Sequence, residues 1–451
     1  QPVVHPFPTG RSSDLATDRD EDGGSADGNG FYWVNPHCLE NIVRLSDGFE
    51  IRACHDIVDD AGTTLWPSGG IVSWDLHARI RLRRLRRPLE VSLNVEAGTT
   101  METVLRDCQA LMAHNPAVAA LGSAAGTQAM LRMMRSQQLP APVRLLLTSA
   151  REHKRHNYET SLAAMVVSAE LGFACGLSEH DTAHLILSAL VHDIGEMYIN
   201  PEYLDPARQL QPDEWKHVVT HPCVGQAFLR EFTNFPQAVM ECVVHHHERP
   251  DGSGYPFQVP GKNLGMLDKL ICVADTVAAI IMRSGPAIER RVLAALRMFS
   301  EEFPRPAVSC IARTLTEIND MSEATAPDQF AERIQKTTRL LRAVQREAES
   351  LLDAGHGRAV VQGCDQVIGL VDSIDAQLRA AGISHLSGFR SAEPGAAVRE
   401  DIGMVLDETS WRLRHLARTI YHHAERHGDS RDLAALAGLV ALLDQRSWPT
   451  Q

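Results

Sequence analysis

The middle of this sequence repeats one arrangement, in which an apolar segment leads into an ionisable residue. Leu185–Val191 is followed directly by His192 and Asp193, and the apolar run Leu270–Ala274 is followed by Asp275. Moving an unpaired charge from water into an apolar interior is costly, so each of these residues needs a partner. We therefore expect the segments to pack as helices with their ionisable residues together.

A run of histidines ends another such segment. Val239–Val244 leads into His245–His247, and a turn-forming sequence rich in glycine follows. Consecutive side chains lie about 100° apart around a helix axis, so adjacent histidines cannot share one helix face. Two of them therefore suit a centre with more than one metal ion, each imidazole being directed at a different ion.

The composition restricts the class of protein. Of the 451 residues, 44% are hydrophobic and 22% are charged, as in soluble globular proteins. The net charge of -13 does not favour DNA or RNA as a partner, because nucleic-acid affinity depends largely on basic contacts to phosphate. Scattered cysteines indicate reduced thiols, and no apolar run reaches the roughly 20 residues that span a bilayer. We expect a cytoplasmic protein without a membrane partner.

Changes in pattern along the chain predict five regions. Residues 1–30 are rich in Asp, Gly and Ser and are interpreted as disordered or foreign to the fold. Short β-like runs such as Thr64–Trp66 predict a small β-rich module over residues 31–96. Helical periodicity dominates the remainder, so the predicted fold class is mainly α. The remainder divides into a helical linker (97–144), a helical domain with the ionisable segments (145–310) and a C-terminal helical bundle (311–451).

Several residues of the helical domain have side chains that bind metal ions. Glu152 and His156 lie four positions apart and would share one face of a helix. Taken singly, a histidine in an apolar helix is more often a hydrogen-bonded core residue than a ligand. Five ligand-bearing segments between residues 152 and 275 are harder to explain by packing alone. The candidates in the other four segments are His192, Asp193, His221, His246, His247 and Asp275.

The residue types limit the choice of metal. Imidazole and carboxylate without thiolate favour iron or manganese and also permit zinc. A carboxylate such as that of Asp193 can bridge two ions through its two oxygens. Two ions about 3.5–4 Å apart can hold a hydroxide and clamp a phosphodiester for in-line attack. The sequence therefore predicts more than one divalent ion and a hydrolytic reaction.

These motifs, in this order, resemble the HD-GYP domain, a branch of the HD phosphohydrolase superfamily. The resemblance covers about residues 145–290. It implies an all-helical domain that hydrolyses cyclic di-GMP, a bacterial second messenger, to linear pGpG or to GMP. The motifs that carry it are His192-Asp193-Ile194-Gly195, His221-Pro222, His246-His247-Glu248-Arg249, Asp251-Gly252-Ser253-Gly254-Tyr255-Pro256 and Val273-Ala274-Asp275.

The resemblance also implies roles for individual residues. His192 and Asp193 would form the catalytic pair. Glu152 matches a position at which some members of the family have a carboxylate for a third metal ion. Nucleotide contacts are implied for Gly254, Tyr255 and Pro256, and Arg283 is the basic residue after the last ligand helix. The resemblance implies a centre of two or three divalent metal ions, with ligands at His156, His192, Asp193, His221, His246, His247 and Asp275.

One residue departs from the family pattern. Glu196 follows Gly195, where the family usually has a lysine that is thought to contact the phosphate or the nucleophile. A carboxylate there should repel a phosphodiester unless it takes a metal ion or a proton. Two alternatives therefore stay open: a degenerate module that binds cyclic di-GMP or a protein partner without efficient hydrolysis, and a hydrolase for another cyclic dinucleotide. The sequence also leaves open a homodimer or a signalling-protein partner.

Overall fold

The computed structural model describes residues 30–205, 208, 210–250, 252–283, 288–298, 303–315, 327–380 and 396–444. The described chain is mainly helical with a few short strands in its N-terminal part, which confirms the predicted fold class. The prediction of disorder for residues 1–30 lies outside the described residues except at Gly30. Over the described residues, no helix combines the length and the apolar character needed to cross a membrane.

The chain divides into two compact units. Of the described residues, the first unit contains 30–210, 217–247 and 265–282, and the second contains 211–216, 248–264 and 283–444. The chain passes from the first unit to the second between His247 and Glu248, and it returns to the first at Gly265. The domain boundaries that the sequence suggests near residues 96, 144 and 310 stay a prediction.

The N-terminal part of the first unit is a small module of helices and strands. Its elements are α1 (Pro36–Leu45), β1 (Ile51–Ala53), β2 (Ile57–Val58), β3 (Thr64–Trp66), α2 (Trp74–Ile80), α3 (Leu89–Ser92) and β4 (Leu93–Val95). Strands β1 and β4 pair antiparallel, as do β2 and β3. The sequence interpretation missed α1, although the Asn35-Pro36 pair is typical of a helix start. The Asn35 side chain accepts hydrogen bonds from the amides of His37 and Cys38 and so caps α1.

The helical middle of the chain carries the ionisable segments. Its elements are α4 (Met101–His114), α5 (Pro116–Leu121), α6 (Ala124–Arg135), α7 (Ala141–His153), α8 (Arg155–Ala174), α9 (Glu179–Val191), α10 (Pro212–Val218), α11 (His221–Phe232), α12 (Gln237–His245) and α13 (Met266–Met282). Residues 162–167 of α8 are all buried, because apolar residues follow one another there without a polar face. Helix α8 packs against α9 and α13, and this packing forms the core beneath the candidate ligands.

The C-terminal part of the second unit is a helical bundle, as predicted. Buried residues such as Val344, Ile374 and Leu413 give this bundle a hydrophobic core of its own. Its longest described helices pack against one another along their apolar faces. The helices of this part are α14 (Ile288–Met298), α15 (Arg305–Leu315), α16 (Pro327–Asp353), α17 (Arg358–Ala380), α18 (Ala396–His427) and α19 (Ser430–Asp444).

Candidate functional site

A close contact between backbone segments brings Asp193 near histidines from other helices. His192 and Asp193 directly follow α9 and stand at the end of a buried apolar helix. A 3₁₀ helix, Ile194–Tyr198, comes next and packs on α11. Gly195 permits this packing, because a side-chain carbon at that position would clash with the carbonyl oxygen of His221.

The potential ligand atoms form a compact group around the Asp193 carboxylate. One ligand atom from each of Asp193, His221, His246 and His247 lies within 4.8 Å of the others. Oδ1 of Asp193 lies 3.3 Å from Nε2 of His221 and 3.4 Å from Nε2 of His246. The other carboxylate oxygen, Oδ2, lies 3.1 Å from Nε2 of His192. Asp193 therefore faces histidines with both of its oxygens.

Asp275 extends this group from α13. Its Oδ2 lies 3.3 Å from Nδ1 of His247, and its Oδ1 lies 3.6 Å from Nε2 of His192. His192 therefore lies between two carboxylates, and both His192 and Asp275 are buried. Six predicted ligands are brought together in this way: His192, Asp193, His221, His246, His247 and Asp275.

Backbone carbonyls orient three of the histidines. Nδ1 of His192, His221 and His246 lies 2.8, 2.7 and 2.6 Å, respectively, from the carbonyl oxygen three residues earlier in the chain. A carbonyl oxygen only accepts hydrogen bonds, so each Nδ1 carries a proton and donates it. In the neutral ring the lone pair is then on Nε2, which faces the group of ligand atoms. Metal-binding histidines are held in the same way.

These lone pairs require a cation. Nε2 of His221 and Nε2 of His246 are 3.1 Å apart, and each is an acceptor in the neutral tautomer that its carbonyl contact selects. The carboxylate oxygens near His192 are acceptors as well. Acceptors that face one another repel unless a proton or a metal ion lies between them. The imidazoles and carboxylates present here therefore fit a divalent metal ion.

Comparisons with known proteins identify relatives of the segment that carries these side chains. Residues 144–303 match the family model of the HD domain. A cyclic di-GMP phosphodiesterase of Pseudomonas aeruginosa is 29% identical over 136 residues, which is 30% of this chain. A cyclic di-GMP phosphodiesterase response regulator of Xanthomonas campestris is 33% identical over 107 residues, which is 24% of this chain. Residues 144–303 therefore carry an HD domain, and this part of the chain is similar to cyclic di-GMP phosphodiesterases.

A third relative of the HD domain has a different substrate in its name. The 3′3′-cGAMP-specific phosphodiesterase 3 of Vibrio cholerae is 31% identical over 104 residues, which is 23% of this chain. The matched segments cover 33%, 28% and 22% of the proteins from Pseudomonas, Xanthomonas and Vibrio, respectively. This chain therefore spans a third or less of the length of these relatives.

Burial and charge set the protonation of the HD-domain centre. Burial raises the pKa of the Asp193 carboxyl, but contacting histidines, His192 above all, lower it further, so it ends well below its usual value. The same balance, with His247 and His192, leaves the pKa of Asp275 well below its usual value. Burial lowers the pKa of His246 and of His247. Ionised carboxylates and neutral imidazoles are the forms that bind metal ions.

Two other histidines of the HD domain, His192 and His221, have raised pKa values. Burial lowers the pKa of His192, but the neighbouring carboxylates of Asp193 and Asp275 raise it by more. For His221 as well, Asp193 outweighs burial and raises the pKa. A divalent ion would bind through the same lone pairs and would release these protons.

The remaining two predicted ligands, Glu152 and His156, lie on either side of a helix break. The continuous helix expected across Glu152 and His156 is broken at Lys154, because α7 ends at His153 and α8 begins at Arg155. Glu152 forms a 2.7 Å ion pair with Arg151, and the His156 side chain is exposed. Their argued position on one helix face was wrong. Binding of a third ion by these residues stays a prediction.

The break between α7 and α8 supplies two partners for Glu196. Oε2 of Glu196 accepts a hydrogen bond of 2.6 Å from the Asn157 amide, and its backbone carbonyl accepts one of 3.1 Å from Nζ of Lys154. Burial, followed by the charge of Asp193, raises the pKa of Glu196. The HD domain thus has Lys154 beside Glu196, the residue that stands where the family usually has a lysine. The sequence interpretation missed Lys154 and Asn157, although both lie between or beside the candidates Glu152 and His156.

The loop after the histidines, residues 252–259, is called the GYP loop here and belongs to the second unit. Glu248 is completely buried, and its carboxylate accepts hydrogen bonds from the amides of Phe257 (2.6 Å) and Val259 (2.9 Å). A buried carboxylate that accepts two backbone bonds holds the loop in a defined conformation. Glu248 is therefore a structural brace of the GYP loop.

The Gly-Tyr-Pro residues are buried within the second unit. The ring of Tyr255 packs edge-on against Trp215, with 5.7 Å between the ring centroids. Gly254 and Pro256 on either side are buried as well. Arg283 directly follows α13 and is exposed. Nucleotide binding by these residues stays a prediction, and the packing of Tyr255 is a role that the sequence interpretation did not include.

Proposed function

We propose that this protein is a metal-dependent phosphodiesterase that hydrolyses cyclic di-GMP to pGpG or GMP. The observation that carries the proposal is the buried group of lone pairs and carboxylates around Asp193, in an HD domain whose chain continues directly into the GYP loop. Two similar proteins carry this activity in their names. Iron or manganese is the expected metal, and zinc is the next choice.

The ligands would divide the work within the HD domain. Asp193 would help to hold the metal centre with both of its carboxylate oxygens, which face different histidines. Bound divalent ions lower the pKa of water and neutralise phosphate charge. His192, His221 and His246 would offer their Nε2 lone pairs to the centre, since each Nδ1 is tied to the carbonyl oxygen three residues earlier.

Lys154 would offset the departure at Glu196. A phosphodiester brings negative charge to the centre, and a carboxylate at residue 196 would repel it at a distance of a few ångströms. The Asn157 amide donates a hydrogen bond to the Glu196 carboxylate, and the Lys154 ammonium donates one to the backbone carbonyl of Glu196. We expect Lys154 to supply the positive charge that attracts the phosphodiester.

The test uses the full chain, purified without oxygen and loaded with Fe²⁺, Mn²⁺ or Zn²⁺. With at least one of these ions, cyclic di-GMP should be converted to pGpG or GMP, and chelation should stop the reaction. His246→Ala should abolish turnover, whereas His427→Ala, at an exposed histidine of α18, should leave it unchanged. Retention of bound metal without turnover under all three conditions would contradict the proposal.

A different cyclic dinucleotide is the first rival substrate, because one relative is named for 3′3′-cGAMP. Equal concentrations of cyclic di-GMP, 3′3′-cGAMP and cyclic di-AMP, offered to the metal-loaded protein, decide between them. We expect kcat/KM to be highest for cyclic di-GMP. A tenfold preference for 3′3′-cGAMP would replace the proposed substrate.

Binding without hydrolysis is the second rival, and the carboxylate at Glu196 is the observation that favours it. If the domain is a receptor, Glu196→Lys should create turnover in a protein that otherwise binds cyclic di-GMP and does not cleave it. Rapid turnover by the unchanged chain would exclude this reading. Titration of cyclic di-GMP into metal-loaded protein, followed by product analysis, measures both outcomes.

A further inference from the structure

Three aromatic rings meet where the C-terminal bundle reaches the GYP loop. His415 of α18 lies 5.5 Å from Tyr255 and 5.9 Å from Trp215, measured between ring centroids. Tyr255 and Trp215 also contact each other at 5.7 Å. Each ring therefore contacts the other two, although the three residues come from distant parts of the sequence. Edge-to-face and tilted contacts at these distances are favourable.

Further contacts join the bundle to the same loop and its neighbours. The guanidinium of Arg418, one helical turn after His415, lies 5.0 Å from the centre of the Trp215 ring. Nε2 of Gln366, on α17, donates a 3.4 Å hydrogen bond to the carbonyl of Gly252. Two helices of the bundle thus contact the loop, one at Gly252 and one at Tyr255.

The chemistry of His415 is that of a neutral aromatic ring. Burial lowers the pKa of His415 to about 3, and Arg249, Arg418 and Arg412 lower it as well. The imidazole therefore stays uncharged at neutral pH. Its contacts with Trp215 and Tyr255 are packing contacts between aromatic rings. The brace at Glu248 holds the amides of Phe257 and Val259, after Tyr255 in the chain. The rings of Trp215 and His415 contact Tyr255, which precedes Phe257 and Val259 in the loop.

We propose that the C-terminal bundle positions the GYP loop through His415, which is a positioning residue for nucleotide binding. A small shift of α18 would then move Tyr255, so the bundle controls how the loop meets its ligand. The effect on catalysis rests on the proposed function of the HD domain. The effect on the loop itself does not, because it is measurable without any substrate.

The test compares His415→Ala with His415→Phe, which keeps a ring against Tyr255 and Trp215. Hydrogen exchange of the amides in residues 252–259 of the metal-loaded full chain is the first readout. We expect about tenfold faster exchange in the alanine variant and a rate near that of the unchanged chain in the phenylalanine variant. His427→Ala, on the same helix but exposed, is the control and should leave the loop unchanged.

The second readout is kinetic. His415→Ala should raise KM for cyclic di-GMP about five- to tenfold, with kcat within about twofold and metal content unchanged. Gln366→Ala removes a single hydrogen bond at the bundle surface and keeps the test open if His415→Ala fails to fold. It should accelerate exchange near Gly252 about two- to threefold.

Two results would overturn the inference. One is unchanged loop exchange in a folded His415→Ala variant, or in Gln366→Ala if His415→Ala does not fold. The other is a phenylalanine variant that exchanges as fast as the alanine variant, because ring packing would then not hold the loop. A chain without turnover but with the expected exchange rates would refute the proposed function and retain the positioning role. Turnover with unchanged exchange would do the reverse.

Discussion

Residues 246–247 and 252–259 are close in sequence but are held by different kinds of interaction. In the first unit, the imidazoles of His192, His221 and His246 are tied to the backbone carbonyl three residues earlier, which in each case belongs to the end of the preceding helix. In the second unit, the GYP loop is held by the Glu248 carboxylate and by rings from distant segments. The first arrangement is local and the second depends on long-range packing.

This difference predicts different sensitivities. The orientation of the three imidazoles should survive changes elsewhere in the chain, because each Nδ1 is hydrogen-bonded to a carbonyl only three residues earlier. The conformation of the loop should respond to changes in the C-terminal bundle, because Trp215 and His415 reach Tyr255 only when the second unit is folded. We therefore expect the group of candidate ligands to be rigid and the GYP loop to respond to changes elsewhere in the second unit.

The largest effect should come from Asp193→Asn, which breaks only the metal side of this comparison. The substitution removes the negative charge and replaces one carboxylate oxygen by an amide nitrogen, which does not bind a metal ion because its lone pair is delocalised into the carbonyl. We expect weaker metal binding and a loss of turnover on the order of 1000-fold. Metal content by mass spectrometry and the turnover assay measure it. Asp181→Asn, in the first turn of α9, is the control, and a fully active Asp193→Asn would refute the proposed centre.

Glu248→Gln should break the loop side and leave the metal side intact. The glutamine turns an NH₂ group toward one of the two amides that the carboxylate accepts. Hydrogen bonds to charged groups contribute about 1.5–3 kcal/mol each. One of the two bonds is lost and the other no longer involves a charged group, so we expect a loss of about 3 kcal/mol in free energy of unfolding. Denaturant unfolding and metal content are the measurements. A variant with normal stability but without bound metal would invert the comparison.

A pH titration should affect the first unit through Glu90. This glutamate is buried, accepts a 2.7 Å hydrogen bond from the Tyr198 hydroxyl, and has a pKa raised by burial from 4.5 to about 7. A raised pKa favours the folded state below the unfolded value, and this contribution is lost as the pH rises toward 7. We expect a loss of about 3 kcal/mol between pH 4.5 and pH 8.

Glu90→Gln tests this pH dependence, because glutamine stays neutral and still offers an oxygen to Tyr198. Its free energy of unfolding should lack the decline that the unchanged chain shows between pH 4.5 and pH 8. Glu96→Gln, at an exposed position of the same module, should keep the decline. Identical pH profiles for the unchanged chain and Glu90→Gln would show that burial of this carboxyl has no such effect.

The smallest effect should come from Lys154→Met, which sharpens the account of the metal side. Loss of the positive charge should lower kcat/KM for cyclic di-GMP about tenfold, with metal content unchanged. Adding Glu196→Lys to this variant should restore most of the activity, because it returns a cation to the same place. Lys336→Met, in the exposed surface of the bundle, is the control. Failure of the double variant to recover would remove Lys154 from the phosphate-binding role.

The sequence was sufficient for the features that depend on residue type and local order. The side chains of six candidate ligands lie close together, and their identities and their places in the helices are local properties; metal binding by them stays a prediction. The mainly helical fold and the C-terminal bundle are confirmed, because they too depend on residue type and local order. The shared helix face of Glu152 and His156 was wrong, because periodicity continued across the break at Lys154.

Other features were beyond the sequence because they depend on contacts between distant segments. The partners of Glu196 come from the break between two helices, and the spacing along the chain does not reveal that break. Tyr255 is 40 positions from Trp215 and 160 from His415, so its burial among those rings had no local signal. Glu248 could be interpreted as a ligand support or an ion-pair partner until its two backbone donors were known.

The carbonyl contacts of the three histidines have a consequence for the supply of metal in the cell. Because the imidazoles are oriented by hydrogen bonds to carbonyls three residues earlier in the chain, the candidate ligands do not depend on an ion for their orientation. Loss of an ion from the proposed centre would leave the helices folded, so one ion could be exchanged for another without refolding. In the proposed phosphodiesterase, the abundant divalent metal would then set the identity of the bound ion, and turnover would follow the iron and manganese status of the cell.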